Sequence, residues 1–250
     1  MIEGNNGMKR NIVFGIVLLV AASALAADSD SKSEIKNASK KLASAAGYSW
    51  KTTVETPAGG AGARFRPGPT EGQAAKDGTI HLSMTRGENT IEAYLKGDKG
   101  ALKTEDGWKS LSEAAESDGG GQFNPTMFLA RMLRNYKAPA AEAEDLAGKA
   151  KELKNQDGVY SGDLTEEAVK QLVSRGPRRP GAEPPEVADA KGSVKFWIKD
   201  GVLSKYEYQV QGKMSFNGND FEINRTTTVT IKDVGSTKVE VPDDAKKKLS

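Results

Sequence analysis

From Val194 to Val241 the chain alternates apolar and polar residues, and tight-turn residues break the alternation at short intervals. Val194, Phe196 and Ile198 lead up to Asp200-Gly201, a dipeptide suited to the two left-handed positions of a two-residue hairpin. Tyr206, Tyr208 and Val210 then alternate with Lys205, Glu207, Gln209 and Gln211, and the run continues past Gly212, where a bulge or bend is expected, to Phe216. Asn217-Gly218 returns the chain through Phe221, Ile223, Val229 and Ile231, and 233–235 turns it once more. A period of two gives each strand one apolar face and one polar face. The pattern predicts adjacent antiparallel strands near 193–199, 202–216, 219–232 and 237–241, with Tyr206, Tyr208 and Val210 sharing a face. Pro242 ends the sheet, and 243–249 reads as a short tail helix.

The earlier part of the chain supplies partners for that apolar face. Ile35, Ala38, Leu42 and Ala45 recur at helical spacing over 31–46, with lysines opposite and Gly47 as a stop. Tyr48–Thr56 reads as a strand. Pro57–Asp77 reads as a loop rich in Gly, Ala and Pro, with an edge strand possible at 63–66. Between Gly78 and Leu111, turn residues at nearly ten-residue spacing cut a β-meander in which Ile80, Leu82, Met84, Ile91, Ala93 and Leu95 share the apolar side. A helix is predicted from Pro125 to Lys137 and ended by Pro139, then a second over 141–153 and a strand over 159–163. Thr165 is a strong N-cap, with Glu166 and Glu167 in the first turn and Leu164 placed to staple against Val169. That helix stops at Gly176, and 177–190 reads as an irregular connection.

Compartment is read from the other end. Met8-Lys9-Arg10 precedes the uncharged run Asn11–Ala27, which closes on Ala24-Leu25-Ala26 before Ala27-Asp28. A basic start, an apolar stretch and an A-x-A site describe a secretory signal peptide, cut between Ala26 and Ala27. The predicted organisation is therefore upstream residues and signal peptide at 1–27 and one domain at 28–250. Removing Glu3, Lys9 and Arg10 lowers the net charge from +2 to +1, which offers no clustered positive field for nucleic acid. The chain has no cysteine, so it has neither a disulfide nor a thiol for a lipid anchor. With one histidine and no thiolate, Cys/His zinc sites and Cys-His catalysis are closed.

An N-terminal helix, one-faced strands, a helical interlude and a long-stranded antiparallel meander make a distinctive order. The helix-then-strand entry KKLASAAGYSWKTTV, the hairpin FWIKDGVLSKYEYQV and the closing KVEVPDDA carry a resemblance to the LolA-like superfamily of exported bacterial proteins. That group takes in the LolA and LolB lipoprotein carriers and the LppX and LprG type. The resemblance implies an α+β fold: a curved antiparallel sheet forming an incomplete β-barrel closed by helices, with an apolar cavity for a lipid or acyl chain. It implies no catalytic residues, no metal and no cofactor. An envelope lipoprotein or a membrane surface would be the further partner, and the location would be periplasmic or secreted. Residues that would line such a cavity are Met84, Phe128, Met132, Leu133, Tyr206, Tyr208 and Met214, because methionine and aromatic side chains adapt to irregular apolar ligands. The same residues also suit ordinary core packing, which leaves open a structural or interaction module of the cell envelope with a filled core.

Chemistry has few footholds. Ser29-x-x-Lys32 and Ser33-x-x-Lys36 match the nucleophile motif of penicillin-interacting enzymes, the remote alternative of a serine hydrolase, but no Ser-Asp-Asn or Lys-Thr-Gly partner follows. A triad would need His81, which alternation puts on a polar, solvent-facing strand side. Glu166-Glu167 and Asp243-Asp244 are explained as helix starts.

Overall fold

A computed structural model describes residues 17–57, 68–116, 124–174, 185–216 and 219–249. β1 (Gly47–Glu55) opens a meander that continues through β2 (Thr70–Ala75), β3 (Thr79–Arg86), β4 (Asn89–Lys96), β5 (Lys99–Thr104) and β6 (Gly107–Ser110). The second half contributes β7 (Lys154–Gln156), β8 (Val159–Asp163), β9 (Glu186–Lys199), β10 (Val202–Phe216) and β11 (Asn219–Lys232). They form one eleven-stranded antiparallel sheet in the order β6-β5-β4-β3-β2-β1-β11-β10-β9-β8-β7. Its edges, β6 and β7, do not meet, so the barrel is incomplete, as expected. The join between the two halves is β1 against β11, with Trp50 opposite Ile231 and Thr52 opposite Val229.

One face carries the main core. Register puts Trp50, Gly72, Leu82, Ala93 and Leu102 in one row, and Thr52, Val229, Tyr206, Phe196 and Tyr160 in the next. Against this inner face pack α1 (Val17–Ser44), α2 (Leu111–Glu116), α3 (Pro125–Leu133), α4 (Pro139–Lys149) and α5 (Glu166–Val173). Ile35, Ala38 and Leu42 of α1 are buried, as their spacing predicts. Lys32 Nζ ties α1 to the end of α4 by donating to the Ala150 carbonyl at 3.0 Å. Thr165 caps α5 by accepting from the Ala168 N–H, and both members of the Leu164–Val169 staple are buried. The Asp200-Gly201 turn has φ of 53° and 72°, the left-handed pair a two-residue hairpin needs.

Several expectations are corrected. The loop read at 57–77 contains β2, whose sequence Thr-Glu-Gly-Gln-Ala-Ala has little strand propensity. Its small residues are there for packing: a Cβ at Gly72 would sit 2.1 Å from the Trp50 indole. Strand β9 begins at Glu186, inside the connection read as irregular, and a bulge at Asp189 (φ 53°) breaks its alternation there. That bulge lies opposite Gly212 on β10, where the irregularity was expected. Helix α3 ends at Leu133, and Pro139 opens α4 at its first position, where proline's missing N–H costs nothing. Helix α1 starts well before 31 and runs through Ala26-Ala27. The helix expected over 141–153 ends at Lys149, and Lys154–Gln156, which was assigned to no element, pairs with β8 around an Asp157-Gly158 turn. The Asn217-Gly218 turn, the 63–66 edge strand and Gly176 lie outside the described residues.

The fourth C-terminal strand is absent: 237–242 forms no strand and, among the described residues, pairs with none. It crosses the outer face of the sheet instead, and the tail helix α6 (Asp243–Lys246) beyond it is shorter than expected. Val239, Val241, Ala245 and Leu249 pack on Tyr94, Ala101 and Trp108, making a second small core. The alternation there records a one-sided surface contact. Part of the outer face is therefore dry, and His81 is not solvent-facing: it is half-buried and stacked on Tyr94 with ring centroids 4.6 Å apart. Burial lowers its pKa, with Glu92 partly opposing.

Candidate ligand chamber on the inner face

The long strands β9, β10 and β11 extend the inner face past the end of β1, where Glu55 still pairs with Thr226. Beyond that point the inner-facing residues are Arg225 with Val210 and Gly192, then Ile223 with Gly212, then Phe221 with Met214 and Val187. Burial along this axis holds through Val210 and at Gly212 and falls at the residues around them. Trp50, Leu82, Phe196 and Val229 are buried, whereas Val54, Ile91, Val187, Met214, Phe221 and Ile223 are half-buried.

The residues expected to line a cavity divide along the same axis. Met84, Leu133 (2 % exposed), Tyr206 (0 %) and Tyr208 are packed into the core. Phe128, Met132 and Met214 are half-buried, and Met132 and Met214 lie against the core's margin. Asn124 sets the α3 surface by accepting from the Met127 N–H, with Pro125 in the first turn.

Polar groups on this face are few and convergent. The Tyr206 hydroxyl donates to Glu142 Oε2 of α4 at 2.7 Å, and the Tyr48 oxygen accepts from the Ala140 backbone. Tyr136, which lies just after α3, and Tyr208 share the same electrostatic neighbourhood. Burial pushes Tyr48 up to about 12, and burial followed by the Glu142 charge pushes Tyr136 and Tyr206 up. These phenols are neutral donors at any physiological pH. Near the outer end, the half-buried Arg225 donates from Nη2 to the Leu172 carbonyl at 2.5 Å, against the negative end of α5.

Glu142 and Arg225 were not singled out from the sequence. Arg225 carried a signal: it occupies an inner-face position in the alternation Phe221, Ile223, Thr227, Val229, where a charge is out of place. Glu142 carried none, because a glutamate in the first turn of a helix is ordinary. The hydrolase motifs find no support in position: Lys32 is bonded to the α4 end, and Lys36 pairs with Glu144 at 3.3 Å. Among the described residues no cluster of His, Asp or Glu could hold a metal ion.

No protein-family model and no curated protein sequence matches the chain. Among solved structures, the chain is similar to the lipoprotein LppX of Mycobacterium tuberculosis at 13 % identity, over 85 % of this chain and 98 % of that one, with a TM-score of 0.43. It is similar to LprF of Mycobacterium bovis at 10 % identity, over 87 % and 98 %, with a TM-score of 0.42. A LolA superfamily protein of Nitrosomonas europaea follows at 10 % identity, over 84 % and 94 %, with a TM-score of 0.32.

Proposed function

We propose that this chain is an exported, non-catalytic binding protein that holds a lipid or acyl chain between the inner face of the sheet and helices α3 and α5. The observation that carries the reading is the burial gradient. An apolar face continues through Val187, Met214, Phe221 and Ile223 after full burial has ended. Ligand sites are concave and mostly apolar with a few fixed polar groups, and methionines such as Met132 and Met214 conform to flexible chains. Export rests on the sequence from Met8 to Ala27. No helix among the described residues is long and apolar enough to cross a membrane.

The test is mass spectrometry of lipids extracted from the purified protein, joined to titration with a fluorescent fatty acid. Co-purified lipid and saturable binding are expected. A protein with neither leaves the second reading, an envelope interaction module with a filled core, which the tight packing of Met84, Leu133, Tyr206 and Tyr208 favours.

A further inference from the structure

The C-terminal segment on the outer face is built like a strand without a sheet. The chain leaves β11 through a turn with Asp233 at φ 51° and Gly235 at φ 88°. Gly235 N–H donates to the Gly47 carbonyl at 2.7 Å, and the Ser49 hydroxyl donates to the Asp233 carboxylate at 2.6 Å. The segment then presses so close to β1 that a Cβ at Gly47 would stand 2.2 Å from the Thr237 oxygen. At its far end Ala245 is 0 % exposed, and Lys248 donates to both carboxylate oxygens of Glu113, at 2.9 and 3.0 Å. Both ends are therefore fixed, one over β1 and β2 and the other over β5 and β6.

Between those anchors the segment runs across the strands beneath it, so it cannot join their ladders. Thr237, Val239 and Val241 are half-buried, while Lys238 and Glu240 are exposed. Among the described residues no hydrogen bond reaches the N–H or C=O groups of residues 238–241. That alternation of exposure is the period-two pattern of an extended segment, and main-chain groups left open along such a segment are a template for strand addition. The space for an added strand is present. An open groove of about 890 Å³ runs along Thr237–Val241, floored by Ala46, Ala75 and Thr79 and bounded by the Lys96–Asp77 ion pair.

We infer that Thr237–Val241 is a β-augmentation site, which takes up an extended segment of a partner protein alongside it in this groove. Main-chain hydrogen bonds supply the affinity and the alternating side chains supply the selectivity. In an antiparallel pair, residues directly opposite share a face. The partner segment therefore sets an acidic residue opposite Lys238 and a basic residue opposite Glu240, with a small or β-branched residue between them over Ala46 and Ala75. This site is on the opposite side of the sheet from the proposed ligand chamber and does not depend on it.

The segment's own order of charges has this complementarity to itself, so the probe is the peptide Thr-Lys-Val-Glu-Val. Titrated into the full-length mature chain and followed by amide NMR, it should give saturable shifts at 238–241 and at the groove floor, Ala75 and Thr79. The variant Glu240→Lys, at an exposed position, should bind the peptide about tenfold more weakly by turning one attractive pair into a repulsive one. Replacing the peptide's lysine with glutamate should restore binding to that variant. The inference is overturned if no saturable shift occurs, if shifts map to the inner face, or if affinity ignores the reversal at 240. It is equally overturned if the chain alone self-associates through this segment in place of taking up the peptide.

Discussion

Trp50 lies across Gly72 of the neighbouring strand, with its indole where a side chain at 72 would begin: a Cβ there would stand 2.1 Å from Cζ2 and 2.2 Å from Cε2. The ring fills the inner face only because β2 leaves that space. Gly72→Ala should therefore cost about 1–3 kcal/mol through overpacking, measured by urea denaturation. In a Trp50→Ala background the same substitution should cost much less, since the two effects share one contact.

Met132 and Leu133 are neighbours on α3 with different exposures, and they separate ligand binding from folding. Leu133→Phe should lower stability by about 1–3 kcal/mol, because the residue sits in a filled core. Met132→Trp alters a half-buried position at the core margin and should weaken fatty-acid binding with little change in the denaturation midpoint. Equal loss of stability in both variants, with no change in binding, would count against the chamber.

The Tyr206–Glu142 bond sets a conserved-volume test. Tyr206→Phe keeps the ring and removes the donor, and should cost about 1–3 kcal/mol by leaving a carboxylate oxygen without that partner. Glu142→Gln retains an acceptor oxygen and should cost less. The measurement is equilibrium denaturation of both single variants and the double variant.

Tail attachment should depend on pH through Glu113. Lys248 first, then Ser110, holds its carboxyl at about 2, below the ordinary value of 4.5. A depressed folded-state pKa means the contribution is complete above about 4.5 and is lost as pH falls through about 2. NMR signals of Ala245 and Leu249 should report loosening of the tail across that window, while the inner-face core holds. Glu113→Gln should loosen the tail at neutral pH and flatten the dependence.

What the sequence disclosed follows from which signals were local. The β9–β10 hairpin was legible because Asp200-Gly201 fixes its turn and Tyr206, Tyr208 and Val210 fix its face. α5 was legible from Thr165, Glu166 and the Leu164–Val169 staple. β2 was not, because Thr-Glu-Gly-Gln-Ala-Ala becomes a strand through its neighbours: Gly72 and Ala74 yield room to Trp50 and Tyr48. The tail misled for the opposite reason. Val239 and Val241 alternate as a strand does, yet their partners are ring faces on a sheet surface, and period two cannot separate the two cases. At the chamber, apolar candidates could be named from composition along a face, but which were filled core and which lay at its margin depended on how far β9–β11 outrun their cover.

The seam between β1 and β11 has a kinetic consequence. Ser49 and Asp233, bonded across it, are 184 residues apart in sequence. Every neighbouring pair within β1–β6 or within β7–β11 is consecutive in the chain, so each half can zip up by short-range steps. Within the sheet, only the seam pairs strands from opposite ends of the chain, against the entropy of closing a very long loop. Pairing across this seam is thereby the entropically costly step in building the sheet, and substitutions at Thr52 or Val229 should slow refolding more than equally destabilising ones within either half.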